Sequence, residues 1–191
     1  MSLYHRGAYQ TALEVLHPDA KRTAAGSDYM RGYILAELPD GPQLAWKEVQ
    51  RLWQRNPSTW DIMVIQTTLC LLGRRDEAIK LCRQARERAS PPPLWRREWY
   101  RRLLDYDCGD LSEAELLKTA GASRYSQCEG HFIIGMTKLA ESDRSAAREH
   151  FRASVATGVF FYFGYDWSHA FLARMEKDPN WPPWIPAKPE P

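Results

Sequence analysis

Apolar residues along this chain recur at helical spacing. The runs 29–38, 60–72, 94–105 and 128–140 set large side chains three and four residues apart, the period that places them on one helical face. Each run leads, across a short break, into a second run with an alanine near its start. These alanines are Ala12, Ala45, Ala78, Ala114 and Ala147, separated by steps of 33, 33, 36 and 33 residues. Four residues on stand Leu16, Val49, Cys82 and Phe151, with Lys118 the exception between Leu116 and Leu117 on one side and Thr119 on the other. Three further come Leu52, Ala85 and Ser154. A small residue followed by larger ones on the same face lets the second helix approach its neighbour closely. The predicted unit is therefore helix, tight turn, helix, repeated.

Boundary residues agree with this division. Ser112 with Glu115 reads as a capping box, and so does Ser126 with Glu129. Ser58, just before Trp60 and Asp61, is placed to cap its helix. Pro57 and Pro91 fall where a helix must stop. The longer step coincides with Pro91, Pro92 and Pro93, a stiff spacer between units. The expected units are 1–24, 27–57, 58–91, 94–122 and 126–157, then a closing helix over 160–176 and a Pro/Trp-rich tail over 177–191.

The repeat resembles the tetratricopeptide repeat (TPR) family. The third unit carries the likeness through Leu69, Gly73, Asp76, Glu77, Ala78, Cys82 and Ala85, and the fifth through Gly135, Leu139, Ala147, Phe151 and Ser154. The resemblance departs at Tyr33, Gln66 and Arg102, where the family has a small residue in the first helix. It implies an all-α fold, a right-handed α-solenoid of about five stacked antiparallel helix pairs, with a concave face lined by the first helices. Such arrays bind a peptide or protein segment on that face. Here the inward positions would be Met30, Ile34, Trp60, Met63, Trp99, Leu103, Phe132 and Met136. This lining is apolar and aromatic. TPR domains that clamp acidic C-terminal peptides carry Lys, Arg and Asn there, and only Arg31 and Arg96 come near. The plainer fate of the same residues is core between helices.

Two aromatic segments lie beyond the repeats. The run 160–165 leads into Trp167, Ala170, Phe171 and Arg174 at helical spacing, as expected of a helix covering the last unit. The tail that follows has Trp181, Trp184 and Ile185 among prolines. It cannot be helix, suits extended geometry, and has too much apolar surface to stay in water. It is expected to pack back on the last helices; a proline-rich docking motif for another protein is the alternative. No matching cover is visible at the first unit. That points to a piece of a longer bacterial signalling or assembly protein, or to a homo-oligomer formed through the uncapped first repeat.

Composition narrows the function further. With 26 basic and 24 acidic residues the net charge is +2, so bulk charge does not call for a polyanion. One stretch is locally basic: Arg83, Arg86, Arg88, Arg96, Arg97, Arg101 and Arg102 stand against only Glu87 and Glu98, with Trp95, Trp99 and Tyr100 between. Such a patch could hold nucleic acid or an acidic segment, and this is the alternative function. A solvated helix face with Arg stems over aromatics explains it more simply, so nucleic acid is not the expected partner.

Cys70, Cys82, Cys108 and Cys128 form no CxxC pair and suit buried thiols in a reducing cytoplasm. No apolar run reaches membrane-spanning length, so no membrane association is expected. His5, His17, His131, His150 and His169 are dispersed. His150 and Cys128 could meet across the fifth pair, without an acid partner. Asp105, Asp107 and Asp110 lack the glycine and distal Glu of a calcium loop. No catalytic residue, metal site or cofactor is expected. The chain reads as a non-catalytic cytoplasmic module binding a protein or peptide, part of a larger scaffold.

Overall fold

The computed structural model describes residue 11 and residues 28–55, 57–88, 97–160 and 162–187. The expected unit 1–24 falls almost wholly outside the described residues, as do Trp95, Arg96 and the three consecutive prolines. The described residues form nine helices: α1 Asp28–Ala36, α2 Gly41–Gln54, α3 Thr59–Leu71, α4 Arg75–Arg88, α5 Arg97–Asp107, α6 Glu113–Ala120, α7 Arg124–Ala140, α8 Arg144–Ala156 and α9 Phe163–Lys177. They pack in adjacent pairs, α1 on α2, α3 on α4, α5 on α6 and α7 on α8, with α9 against both helices of the last pair.

Local chemistry explains most boundaries. Ser58 accepts from the Asp61 amide while Asp61 accepts from the Ser58 amide at 2.8 Å, a reciprocal capping box on α3. Ser112 and Glu115 do the same for α6. The box expected from Ser126 and Glu129 does not form. Helix α7 starts earlier, capped by Ser123, and Glu129 is buried in its second turn. The chain turns between α3 and α4 at Gly73, whose φ of +71° suits a residue without a Cβ.

The marker alanines locate the second helices with one shift. Ala45, Ala78 and Ala147 are fully buried. Ala114 is exposed, and the fourth residue of α6, the place that Ala78 and Ala147 hold in α4 and α8, is the fully buried Leu116. Ala120, four residues on, is buried, while Lys118 faces solvent. The fourth unit thus keeps the pattern two residues later, and its break at Lys118 was a matter of register. In the fifth unit a Cβ on Gly135 would stand 2.5 Å from the Phe151 ring, so α7 and α8 approach closely at this glycine.

Helix α3 is the centre of the packing. Ile62 through Leu71 are buried on all sides, as expected of a helix apolar around its whole circumference. It meets α1, α2, α4, α5 and, past the intervening pair, α7. Its Thr67 donates to the Met63 carbonyl at 2.8 Å and accepts from the Tyr33 hydroxyl of α1. Tyr33 of α1 in turn sits edge-on to Trp167 of α9 at 4.4 Å and near Phe171 at 5.7 Å. Arg174 of α9 pairs with Glu37 at 3.6 Å. Helices from the first and the last described pairs thus share one aromatic core.

Candidate functional site

The eight residues expected to line a concave face divide into three groups. Ile34, Met63, Trp99, Leu103, Phe132 and Met136 are at most 8% exposed and belong to the hydrophobic core. Trp60 is half-buried, 6.1 Å from Tyr100 and 5.7 Å from Phe163. The side chain of Met30 lies outside the described residues. The space these side chains point into is taken by α9: Phe163 reaches Tyr33, Trp60 and Phe132 with ring centroids 6.2, 5.7 and 5.1 Å apart. An open lining is therefore corrected to interhelical core. Spacing reports the inward face of a helix but not whether solvent or another helix lies beyond it. The buried Trp99 indole donates to Glu129 at 2.7 Å, which satisfies its N–H without a ligand.

The basic stretch is less basic in three dimensions. Arg86 pairs with Asp110 at 2.7 Å and Asp105 at 3.5 Å. Arg83 donates to the Cys108 carbonyl at 2.9 Å and lies 3.8 Å from Asp110. Arg102 is 3.8 Å from Asp105, and Arg101 is exposed. The side chain of Arg97 lies outside the described residues, with all of Arg96. Asp105 and Asp110 stand after the stretch in sequence, so counting charges within it missed them. Arg83 and Arg86 tie α4 to the end of α5 and the turn after it.

Nucleophile chemistry finds no support in the thiols. All four cysteines are buried and reduced. Burial pushes Cys70 up to about 12 and Cys108 up to about 11, and raises Cys82 and Cys128 as well, which suppresses the thiolate. Cys128 meets Ser154, not His150. His150 instead faces His131, Nδ1 to Nδ1 at 3.0 Å, with Glu113 3.7 Å from its other nitrogen. Burial lowers both imidazole pKa values, and for His131 the neighbouring His150 adds to the effect. Asp107, 1% exposed, is raised by burial to about 7, a shift that Arg75 opposes. Among the described residues no group of three or more His, Cys, Asp or Glu is placed to hold a metal ion, and no helix is long and apolar enough to cross a membrane.

The most elaborate recognition in the molecule is of its own tail. After α9, the Asp178 carboxylate accepts from the Asn180 amide at 2.8 Å, and the Asp178 carbonyl accepts from the Trp181 amide at 2.9 Å, turning the chain back. Trp181 is then 4% exposed, with its ring 5.1 Å from Phe171, and Ile185 is 2% exposed. The expected packing on the last helices is present, but the expected extended geometry is not: the Ile185 amide donates to the Pro182 carbonyl at 3.2 Å and closes a turn over 182–185, which carries the tail past those helices. The Trp184 indole donates to the Leu71 carbonyl at 2.8 Å, one of the acceptors left unpaired at the end of α3. Ile185 lies over Gly73, where a Cβ would stand 3.2 Å from Cγ1.

Arg144 holds the backbone of this segment. Its guanidinium donates to the carbonyls of Asn180 at 3.0 Å, Trp181 at 3.3 Å, Pro182 at 3.1 Å and Pro186 at 3.0 Å, and to that of Ile185. A cation at the first position of a helix opposes the helix dipole. The five carbonyls offset that cost, since a guanidinium offers five donors in a fixed fork. Prolines suit this arrangement because they have no N–H to satisfy and leave their carbonyls free. Sequence reading singled out Trp181 and Trp184 but not Arg144, one arginine among nineteen. Its position as the first residue of a helix was the available signal. Compared with known proteins, the chain matches no family model and no curated protein.

Proposed function

We propose that this chain is a non-catalytic protein-interaction module built on TPR-like stacked helix pairs in an α-solenoid, serving as a cytoplasmic scaffold part that captures a segment of another protein. One observation carries the reading: helix-pair turns and the face of α9 together hold a non-helical segment, turned so that its backbone carbonyls converge on Arg144 while its two indoles reach α3 and α9. That is how a peptide is bound, and the chain spends five hydrogen-bond acceptors and two tryptophans on it. The alternative, a polyanion surface over 83–102, is disfavoured by the carboxylates of Asp105 and Asp110 that accompany its arginines.

Crosslinking of the chain to its surroundings, followed by titration calorimetry with each purified candidate, tests this reading. A genuine partner crosslinks near α8, α9 or the α3–α4 turn. Its affinity changes little between 0.1 and 0.3 M salt, because few phosphate-like charges are neutralised. Tight binding of RNA or DNA with a steep salt slope, removed by Arg101→Glu, would replace the module with the polyanion reading.

A further inference from the structure

We propose that the seat formed by Arg144, Phe171, the Leu71 carbonyl and Gly73 is a binding site for a turned Trp-Pro-Pro-Trp-aliphatic segment of a partner protein, and that the chain's own tail is its displaceable occupant. The proposal rests on the module reading above and names the ligand chemistry and its regulation.

Three features of the seat support exchange. Among the described residues Arg144 hydrogen-bonds only main-chain oxygens, so its recognition depends on how a segment turns its carbonyls and not on the side chains it carries. Specificity then comes from the two aromatic anchors: Trp181 against Phe171, and Trp184 donating to Leu71. The fit of the tail is also incomplete. The buried Trp181 Nε1 has no acceptor among the described residues, so a ligand that supplies one, or that carries Phe or Leu at this place, loses nothing there. Finally, the tail is tethered by a single exposed turn at Asp178, Pro179 and Asn180, and holds the seat by effective concentration rather than by burial of its connection. A partner segment of the same pattern competes with it, which makes the tail an autoinhibitory cover.

The test uses the full chain with a specific protease site inserted between Lys177 and Asp178, cut after folding, and a fluorescein-labelled synthetic peptide of residues 178–187. We expect the peptide to bind the cut protein with an anisotropy change that unlabelled peptide reverses. Uncut protein should bind at least tenfold more weakly. Arg144→Ala should lower affinity for the cut protein at least tenfold, and so should replacing both tryptophans of the peptide by alanine. An uncut chain carrying Trp184→Ala, with a native circular dichroism spectrum, should gain affinity for the peptide relative to wild type, which keeps the test valid if cutting unfolds the protein. No binding to either folded form, or equal binding to cut and uncut chains, overturns the proposal. So does a concentration-dependent dimer in which copies exchange tails, since the seat would then serve self-association. If the peptide fails but a purified partner binds, this proposal falls and the module reading stands; if neither the peptide nor any partner binds, both fall.

Discussion

Arg144 and Arg86 both extend from the second helix of a pair, and their surroundings could hardly differ more. Arg86 is largely exposed and meets two carboxylates that are themselves partly in water. Arg144 is half-buried and meets five peptide carbonyls from one segment. The first arrangement exchanges hydration for ion pairs at high dielectric and gains little. The second gathers acceptors that are exposed at Asn180 and Pro186 and part-buried at Trp181, Pro182 and Ile185, where leaving them unpaired is costly. Arginine count therefore pointed to the wrong cluster as the more informative one. What matters is what each guanidinium excludes from water.

Substitutions can sharpen or break that contrast. The largest effect should come from Trp181→Ala, which empties a buried site against Phe171 and is expected to cost about 3–5 kcal/mol of unfolding free energy, typical of truncating a buried Trp. Urea unfolding followed by circular dichroism measures it; a change below about 1 kcal/mol would show that the tail does not hold its seat in solution. Next comes Arg144→Ala. Loss of a charged donor to several carbonyls should destabilise by about 1.5–3 kcal/mol and expose the Trp184 indole, seen as a red-shifted fluorescence emission. At the small end stands Arg86→Ala, expected to cost about 0.2–1 kcal/mol, and less at 1 M salt. If Arg86→Ala cost more than Arg144→Ala, the comparison would be inverted.

Titration offers a test of intermediate size. Asp107 is raised from its ordinary range to about 7 by burial, so the folded protein holds this proton more tightly than the unfolded chain. Its contribution is fully present below about pH 4 and is lost as pH rises through 7. The His131–His150 contact has the opposite sign: both values are lowered, so its contribution is present above about pH 6.5 and is lost as pH falls. Asp107→Asn should therefore gain on wild type progressively from pH 4 to 8 and change no further above that, whatever constant offset follows from removing the partner of Arg75. Parallel stability curves for the two proteins over that range would show that Asp107 does not titrate in the folded state.

Much of the local structure was legible in the sequence because its causes lie within a few residues. Ser58 with Asp61 and Ser112 with Glu115 cap the helices they were expected to cap. Ala45, Ala78 and Ala147 are buried where the repeat put them. Ser126 with Glu129 has the right spelling for a cap and does not make one, because Ser123 sits one turn earlier and Glu129 is drawn inward to Trp99. Ala114 matched the repeat by residue type while Leu116 fills the position. In both misses two local solutions were available and packing selected one.

The candidate site shows the other side of the division. The sequence by itself determined that helices form, where most begin, which faces are apolar, and that two tail tryptophans must find cover. These follow from helical period, capping chemistry and the hydrophobic effect, all readable within a turn or two. Only the tertiary structure decided that α9 fills the face expected to be open, that Tyr33 reaches it from the far end of the described chain, and that Trp184 meets a carbonyl 113 residues away. Which helix covers a given face is settled by contacts between residues far apart in sequence, which no single residue encodes. A turned proline segment also carries no periodicity to announce its partner. Its seat exists only once α3, α8 and α9 have come together, and so Arg144 becomes meaningful only in the folded chain.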